Sequence, residues 1–303
     1  MKSIISIHFD GPIAKSHAVQ LRTFSKTLGH IQTAIDRAYL DNKYGNIWKF
    51  ARLQSEDYPK TDFILQQTRE GGFIADLLGD KDSSTIVTRI YNAVAPAYEQ
   101  AQAVTIPKEP KLTDLGEQRK RHYKAGAQRP IPYSQLIENP DQKQTRAYGD
   151  RSIVKEFDQI ASAIRSRSGD GSLVEVNLST DKAYPTFVFD AETSAKFHSV
   201  VSTKTLGDPV ELSITLRALD SGNGGISKAK ALNLESNKEF NLHISSERSF
   251  AGLRKYLKKK NPPPFVVIGC PILEYGAFDP LAGDMYFIDV VKNKTPLVDE
   301  VEE

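Results

Sequence analysis

The residues best suited to chemistry in this chain are cations gathered in two short runs. Arg119, Lys120, Arg121, His122, Lys124 and Arg129 fall within one proline-punctuated stretch. Arg254, Lys255, Lys258, Lys259 and Lys260 crowd the end of a helical pattern. A phosphodiester backbone is held by dispersed Lys and Arg, and an aromatic ring among them can stack on a base. Tyr256, and Phe240 on an expected strand, are the rings on offer. The expected nucleic-acid contacts are therefore Arg119, Arg121, Lys124, Arg254, Lys255, Tyr256 and Lys258. A plainer explanation competes for the second run, because cations at a helix C-terminus complement its dipole and need no ligand.

Other sets carry weaker signals. His8 and Asp10 stand two residues apart on an expected strand, so their side chains share a face. With Asp76 they could hold Mg²⁺ or activate a water, although Asp10-Gly11-Pro12 is equally an ordinary turn. Cys270 ends an apolar run with no His beside it, and is expected to be buried and inert. Gly222-Asn223-Gly224-Gly225 lies between two expected strands, without the Lys-Ser/Thr or helix start of a phosphate cradle. It reads as a hairpin turn. The six His residues show no paired metal-ligand spacing, and no nucleophile elbow, Walker loop or nuclease signature is found. Asn177 and Asn293 head glycosylation sequons, which have meaning only behind a secretory signal. No cofactor and no metal is expected.

The elements that must position these residues follow from periodicity. A first strand is expected over about residues 3–9, ended by Asp10-Gly11-Pro12. Leu21, Phe24, Leu28, Ile31, Ile35 and Ala38 recur at steps of three and four, the stripe of an amphipathic helix. The segment Ile47–Leu53 is expected to be a helical turn holding Trp48. A hairpin through Arg69-Glu70-Gly71-Gly72 joins alternating runs around Leu65 and Ala75. A second helix over about 84–103 presents Ile86, Ile90, Ala93, Ala97 and Ala101, capped by Ser83 or Ser84. Residues 106–150, broken by prolines and poor in large apolar side chains, show no helical period and read as a basic linker. A helix resumes over about 150–167. Strands are then expected at Leu173–Leu178, Thr186–Phe189, Val210–Leu219, Ile226–Leu234 and Glu239–Ile244, followed by a helix over Glu247–Lys259. Asn261-Pro262-Pro263-Pro264 stops that helix, and strands at Phe265–Gly269 and Met285–Val291 complete the chain.

From residue 210 the order is strand, strand, strand, helix, strand, strand. This order resembles the OB-fold, a five-stranded Greek-key barrel with its helix between the third and fourth strands. The resemblance is one of connectivity over about 80 residues and brings no family motif with it. It implies a barrel face flanked by loops that can take single strands, with the Gly222–Gly225 turn beside that face. The HFDGPI opening resembles that of bacterial chains and carries no chemistry.

The fold class expected is α+β. A small N-terminal sheet with two amphipathic helices (1–105) is followed by a basic linker (106–150) and a helix with short strands bridging the domains (151–207). An OB-like barrel with one helix (208–292) and an acidic tail (293–303) complete it. Composition agrees with globular domains: 303 residues, 39% apolar and 26% charged. Forty Lys+Arg against 38 Asp+Glu leave a net charge of +2, so any attraction for a polyanion is local. A single Cys excludes an internal disulfide. No apolar run spans a bilayer and the N-terminus reads as a strand, so a cytoplasmic protein without membrane contact is expected. The leading functional expectation is a bacterial non-enzymatic protein contacting single-stranded nucleic acid or RNA through the barrel and the basic linker. The alternatives are a protein-interaction subunit or homo-oligomer, for example in a phage-conflict complex, and a metal-dependent hydrolase or nuclease using His8 and Asp10.

Overall fold

The computed structural model describes residues 3–45, 47–66, 72–80, 83–103, 110–167 (Gln144 by its backbone alone), 169–221, 226–257 and 262–291. Lys258–Lys260, the turn at 222–225, Arg69–Gly71 and the acidic tail lie outside these residues. In chain order the elements begin β1 (Ile4–Asp10), α1 (Leu21–Tyr44), α2 (Tyr58–Thr61), β2 (Ile64–Leu65), β3 (Phe73–Leu78) and α3 (Ser84–Gln102). They continue α4 (Leu112–Lys124), β4 (Ile131–Pro132), α5 (Ser134–Glu138), α6 (Gln142–Arg165), β5 (Leu173–Ser179), β6 (Phe187–Phe189), α7 (Ala191–Val201) and β7 (Lys204–Leu206). Last come β8 (Val210–Asp220), β9 (Ser227–Asn233), β10 (Lys238–Ile244), α8 (Glu247–Leu253), β11 (Phe265–Glu274) and β12 (Met285–Val290). The chain forms two compact units, 1–107 with 146–203, and 108–145 with 204–303.

The first unit is a five-stranded sheet in the order β2-β3-β1-β5-β6, antiparallel throughout. Alternation along β1 decides its faces. Ile5, Ile7 and Phe9 are fully buried beside Ala75, Val174, Val176, Phe187 and Phe189. Ser6, His8 and Asp10 turn the other way. Helices α1, α3, α6 and α7 bring Ile31, Ile35, Ile90, Val94, Phe157, Ile160 and Phe197 to the buried side. The helical stripe expected from Leu21 begins later: Leu21 is 79% exposed and burial starts at Thr27, because the first turns of α1 overshoot the core. Ser83 does not cap α3 with its side chain. It is itself held by Asp80, its N–H donating to the Asp80 carboxylate at 3.1 Å. Residues 47–53, expected to form a helical turn, contain no helix. Helix α7 has no counterpart among the expected elements. Asp190 caps it by accepting from Thr193 N–H at 2.7 Å, a local signal of the usual kind.

The second unit contains the barrel. Strands follow the circuit β8-β9-β10-β12-β11, and β11 pairs back onto β8 to close it. Strands β10 and β12 are parallel and the other barrel pairs antiparallel. This is the OB-like arrangement, with α8 between the third and fourth strands. Leu212, Ile214, Leu216, Ala229, Ala231, Leu242, Phe265 and Val267 fill the interior. Ala218, expected on the same face as Leu216, is exposed instead. A bulge between Leu216 and Ala218 inserts one residue, which reverses the parity and turns Leu219 toward the core. The helix expected over Glu247–Lys259 ends at Leu253 and tightens into a 3₁₀ turn, Arg254–Tyr256. Ser246 caps it, accepting from Ser249 N–H at 3.3 Å.

The stretch expected as an irregular linker holds regular structure. Its helix α4 is hidden in the sequence because the buried stripe is short and interrupted by charge: Leu112, Leu115, Gly116 and Tyr123 lie among Lys and Arg. This stripe covers an outer layer of Leu206, Ile268, Tyr286 and Ile288. Gly116 is required there, since a Cβ at this position would stand 1.9 Å from Tyr286 Cζ. Strand β4 pairs in parallel with β8, and the buried Tyr133 donates its hydroxyl to the Pro280 carbonyl at 2.8 Å. Among the described residues no helix is long and apolar enough to cross a membrane.

Candidate functional site

The outer face of β8, β9 and β10 is the part of the second unit where cations, amides and open surface coincide. Strand β9 reads Ser-Lys-Ala-Lys-Ala-Leu-Asn, and pleating sends Ala229 and Ala231 inward and Lys228 and Lys230 outward. On β10 the facing positions are Asn241, half-buried opposite Lys230, and His243, buried opposite Lys228. Arg217 is the extra residue of the β8 bulge and is exposed, as bulges commonly re-aim a side chain. Acids temper the face. Glu239 meets Lys230 at 2.7 Å, with both side chains about half exposed. Asp220 stands opposite Lys228. An ion pair so exposed contributes little, so a phosphate can replace the carboxylate at small cost. Asp284 accepts from Asn241 Nδ2 at 3.1 Å and lies 3.4 Å from His243 Nε2. Burial pushes its carboxyl up, but the His243 and Asn241 hydrogen bonds outweigh burial and hold it below the ordinary range.

Arg254 and Lys255 belong to the same end of the barrel. Register places Ile244, the last residue of β10, opposite Ser227, the first of β9, and α8 leaves from there. The 3₁₀ turn that follows packs against β8. Both cations are exposed, each over an aromatic ring: Arg254 lies 5.4 Å from the Phe250 centroid and Lys255 4.9 Å from that of Tyr256. Tyr256 stacks on Phe265 at 3.8 Å, within the barrel's packing. One of its faces is therefore taken by Phe265, and Phe240 is a core residue at 4% exposure. Lys258 lies outside the described residues.

The other expected contacts sit on α4. Arg121 and Lys124 are exposed on its last turns. Arg119 instead reaches across to donate to the Leu206 carbonyl at 3.1 Å and to pair with Asp208 at 3.2 Å, so it fastens α4 to β7. Two shallow clefts flank the helix. One of about 570 Å³ is bordered by Pro110, Asp114, Gln118, Arg121 and His122, and one of about 250 Å³ by Arg119, Thr205 and Leu206. The structure thus puts Arg254 and Lys255 on the turn that packs against β8, and keeps Arg119, Arg121 and Lys124 on a helix of their own. The cations of β8 and β9 are not found by searching for runs of charge. Their signal is the alternation of Lys with Ala, which marks an outward basic row on a half-buried strand.

His8, Asp10 and Asp76 do share the outer face of the first unit's sheet, with Asp76 opposite Ser6. Two of them have clear structural duties. His8 Nδ1 is 2.8 Å from the Glu175 carboxylate, and Asp10 accepts from Gly11 N–H at 2.7 Å. Among the described residues no group of His, Cys, Asp or Glu is arranged to hold a metal ion. Cys270 is fully buried, and burial pushes its thiol up to about 12, which leaves it without nucleophilic character.

No protein-family model matches this chain, and no curated protein matches it. Among solved structures it is similar to a mutant of the ferredoxin protease FusC in complex with Arabidopsis ferredoxin, at 9% identity and a TM-score of 0.17. That match covers 80% of this chain and 28% of the other, so the chain spans under a third of its length. A likeness at this level carries no argument about fold or function.

Proposed function

We propose that the protein binds single-stranded nucleic acid through the OB-like barrel, without catalysing a reaction on it. The observation that carries this reading is the outward row of Lys228 and Lys230 on β9, joined by Arg217 on the bulge and by Arg254 and Lys255 at the same barrel end. The central strands and adjoining loops are the surface that OB-like barrels use for oligonucleotides. Cations there neutralise phosphates, and the half-buried Asn241 supplies a polar group beside them. The exposed cations of α4, Arg121 and Lys124, would extend the contact.

The test is fluorescence anisotropy of a labelled single-stranded oligonucleotide, titrated with the full chain over a series of salt concentrations. Lys228→Gln and Lys230→Gln should each weaken binding and lower the salt slope by about 0.7. Absence of binding at low salt, or a slope indifferent to both substitutions, removes the reading. A second reading, a protein-interaction subunit, rests on the edge strand β2 of the first unit, where Ile64 is 72% and Leu65 44% exposed. Light scattering on the purified chain decides it: a monomer at all concentrations, with no co-purifying protein, counts against that role.

A further inference from the structure

A cleft of about 410 Å³ lies in the first unit, lined from the end of α1, the first turns of α3, the start of α6 and the loop after β5. Its buried wall is Arg89, which is 4% exposed. A guanidinium carries five N–H donors. Arg89 Nε donates to the Asp41 carboxylate at 2.6 Å, and Nη2 stands 2.7 Å from Asp150. Nη1 is buried and, among the described residues, has no hydrogen-bond partner. Arg146 donates to the same Asp41 oxygen at 3.0 Å, which sets two guanidinium groups side by side. Its side chain is about half exposed and also lines the cleft. Lys182 enters the lining from the loop after β5. That loop is fastened to α3: the Tyr184 hydroxyl is 2.8 Å from Thr88 Oγ1, and its ring stacks on Tyr91 with centroids 4.3 Å apart. The Lys182 backbone N–H donates to Thr180 Oγ1 at 3.2 Å, which tightens the turn that presents the ammonium group.

A buried N–H without an acceptor costs free energy until an oxygen reaches it. The charged lining says which oxygen suits the cleft. Arg89, Arg146 and Lys182 stand against one acid, Asp181, so the wall favours an anion. Asp41 and Asp150 lie behind the guanidinium groups and fix their orientation. Ser84 and Thr85 bring in the first turn of α3, the positive end of a 19-residue helix. A phosphate offers three terminal oxygens, and forked guanidinium groups match that geometry. Phosphate alone would leave most of the cleft empty, whereas sites for small organic ligands run to roughly 300–1,000 Å³. The rest of the lining includes Asn42, Thr88 and Asn92, donors and acceptors suited to hydroxyl groups rather than to an apolar chain. We infer that this cleft binds a small phosphate monoester with a hydroxylated body, a sugar phosphate or a nucleoside monophosphate, its phosphate held by Arg89, Arg146 and Lys182. This site goes beyond the barrel reading and does not depend on it, because every residue in it belongs to the α+β unit.

The experiment is isothermal titration calorimetry of the full chain with ribose 5-phosphate, AMP, inorganic phosphate and ribose. Both esters should bind, and ribose, which lacks the anion, should not. Tighter binding of AMP than of ribose 5-phosphate supports the nucleotide form of the ligand, and equal binding supports the sugar phosphate. Arg146→Gln should raise the dissociation constant of the bound ester about tenfold. Lys182→Gln, at an exposed position, should raise it about threefold with the melting temperature unchanged. Arg146 also pairs with Asp41, so Arg146→Lys is measured beside it: this variant keeps the charge and loses the fork, and should weaken the ester by an intermediate factor. No heat with either ester overturns the site and leaves Arg89 Nη1 to water. Ester binding indifferent to Arg146→Gln and Lys182→Gln places the ligand elsewhere and overturns it as well. Inorganic phosphate binding as tightly as both esters overturns the monoester assignment. The barrel reading is measured with an oligonucleotide and stands or falls separately from each of these results.

Discussion

Replacing Gly116 by alanine would set a methyl group where the Tyr286 ring already stands. The added Cβ would lie 1.9 Å from Cζ, 2.1 Å from Cε1 and 2.3 Å from the hydroxyl oxygen. Carbon atoms attract at about 3.5–4 Å, so ring and helix must separate by roughly 1.5 Å. Tyr286 is wholly buried in the outer layer beneath α4 and has little room to yield. The helix α4 must therefore lift, loosening Leu112, Leu115 and Tyr123 from the outer core layer. Overpacking of this kind costs about 1–3 kcal/mol. Alanine returns about 0.8–1 kcal/mol through its better helix propensity. The net expectation is a loss of up to roughly 2 kcal/mol, or a few degrees in Tm. Gly29 is the control: it lies inside α1, and a methyl group added there would meet nothing within 4 Å, so Gly29→Ala should show the propensity gain alone. The assay is urea unfolding followed by circular dichroism, with hydrogen exchange across residues 112–124. Trp48 is the only tryptophan and reports on the other unit, so its fluorescence should be recorded separately. In a Tyr286→Leu background, where Cζ and the hydroxyl are gone, the penalty of Gly116→Ala should shrink. A Gly116→Ala protein as stabilised as Gly29→Ala, with unchanged exchange in α4, would refute the seating of α4 on Tyr286.

Three further outcomes are expected. Asp41 is buried and accepts from Arg89 Nε at 2.6 Å and Arg146 Nη1 at 3.0 Å. Asp41→Ala leaves Arg89, itself 4% exposed, to its second partner Asp150 at 2.7 Å and should cost about 1–3 kcal/mol in urea unfolding; a change near zero would mean that the pair does not organise the helices. The Asp57 carboxyl is lowered to about 2 by hydrogen bonds from Lys43 first, then from the Gln54 N–H and Tyr39. Because the folded state lowers this group, its stabilisation is present above the ordinary 3.8 and lost as pH falls from there through about 2. The urea midpoints of the protein and of Asp57→Asn should converge over that window; a pH-independent gap would contradict the assignment. Tyr133→Phe leaves the Pro280 carbonyl without its 2.8 Å donor inside the barrel and should cost about 1–2 kcal/mol, read from the same unfolding curves.

Much of the architecture is legible in the residues alone because its causes are local. Alternation along β1, β5 and β9 and the three-and-four spacing in α1, α3 and α6 set which atoms avoid water before any partner is known. The strand-strand-strand-helix-strand-strand order after residue 210 is enough to expect an OB-like barrel. Local reading fails where an interruption has a distant cause. The helix α4 has a thin apolar stripe and is seated by Tyr286, more than 160 residues away in sequence. The bulge at Arg217 is a property of the pairing between β8 and β9, so simple alternation puts Ala218 on the wrong face.

The candidate contacts divide in the same way. Runs such as Arg119–Lys124 and Arg254–Lys255 are visible by inspection, since charge density along a chain needs no coordinates. Which of those cations face solvent is decided by packing: Arg119 is drawn onto the Leu206 carbonyl and Tyr256 onto Phe265, while Arg121 stays exposed. The edge-on contact of Trp48 with Tyr148 exists only after folding, because it joins segments about 100 residues apart. Periodicity in a chain specifies which side of an element is apolar, but the neighbours of its polar side are chosen by the register and docking of other elements.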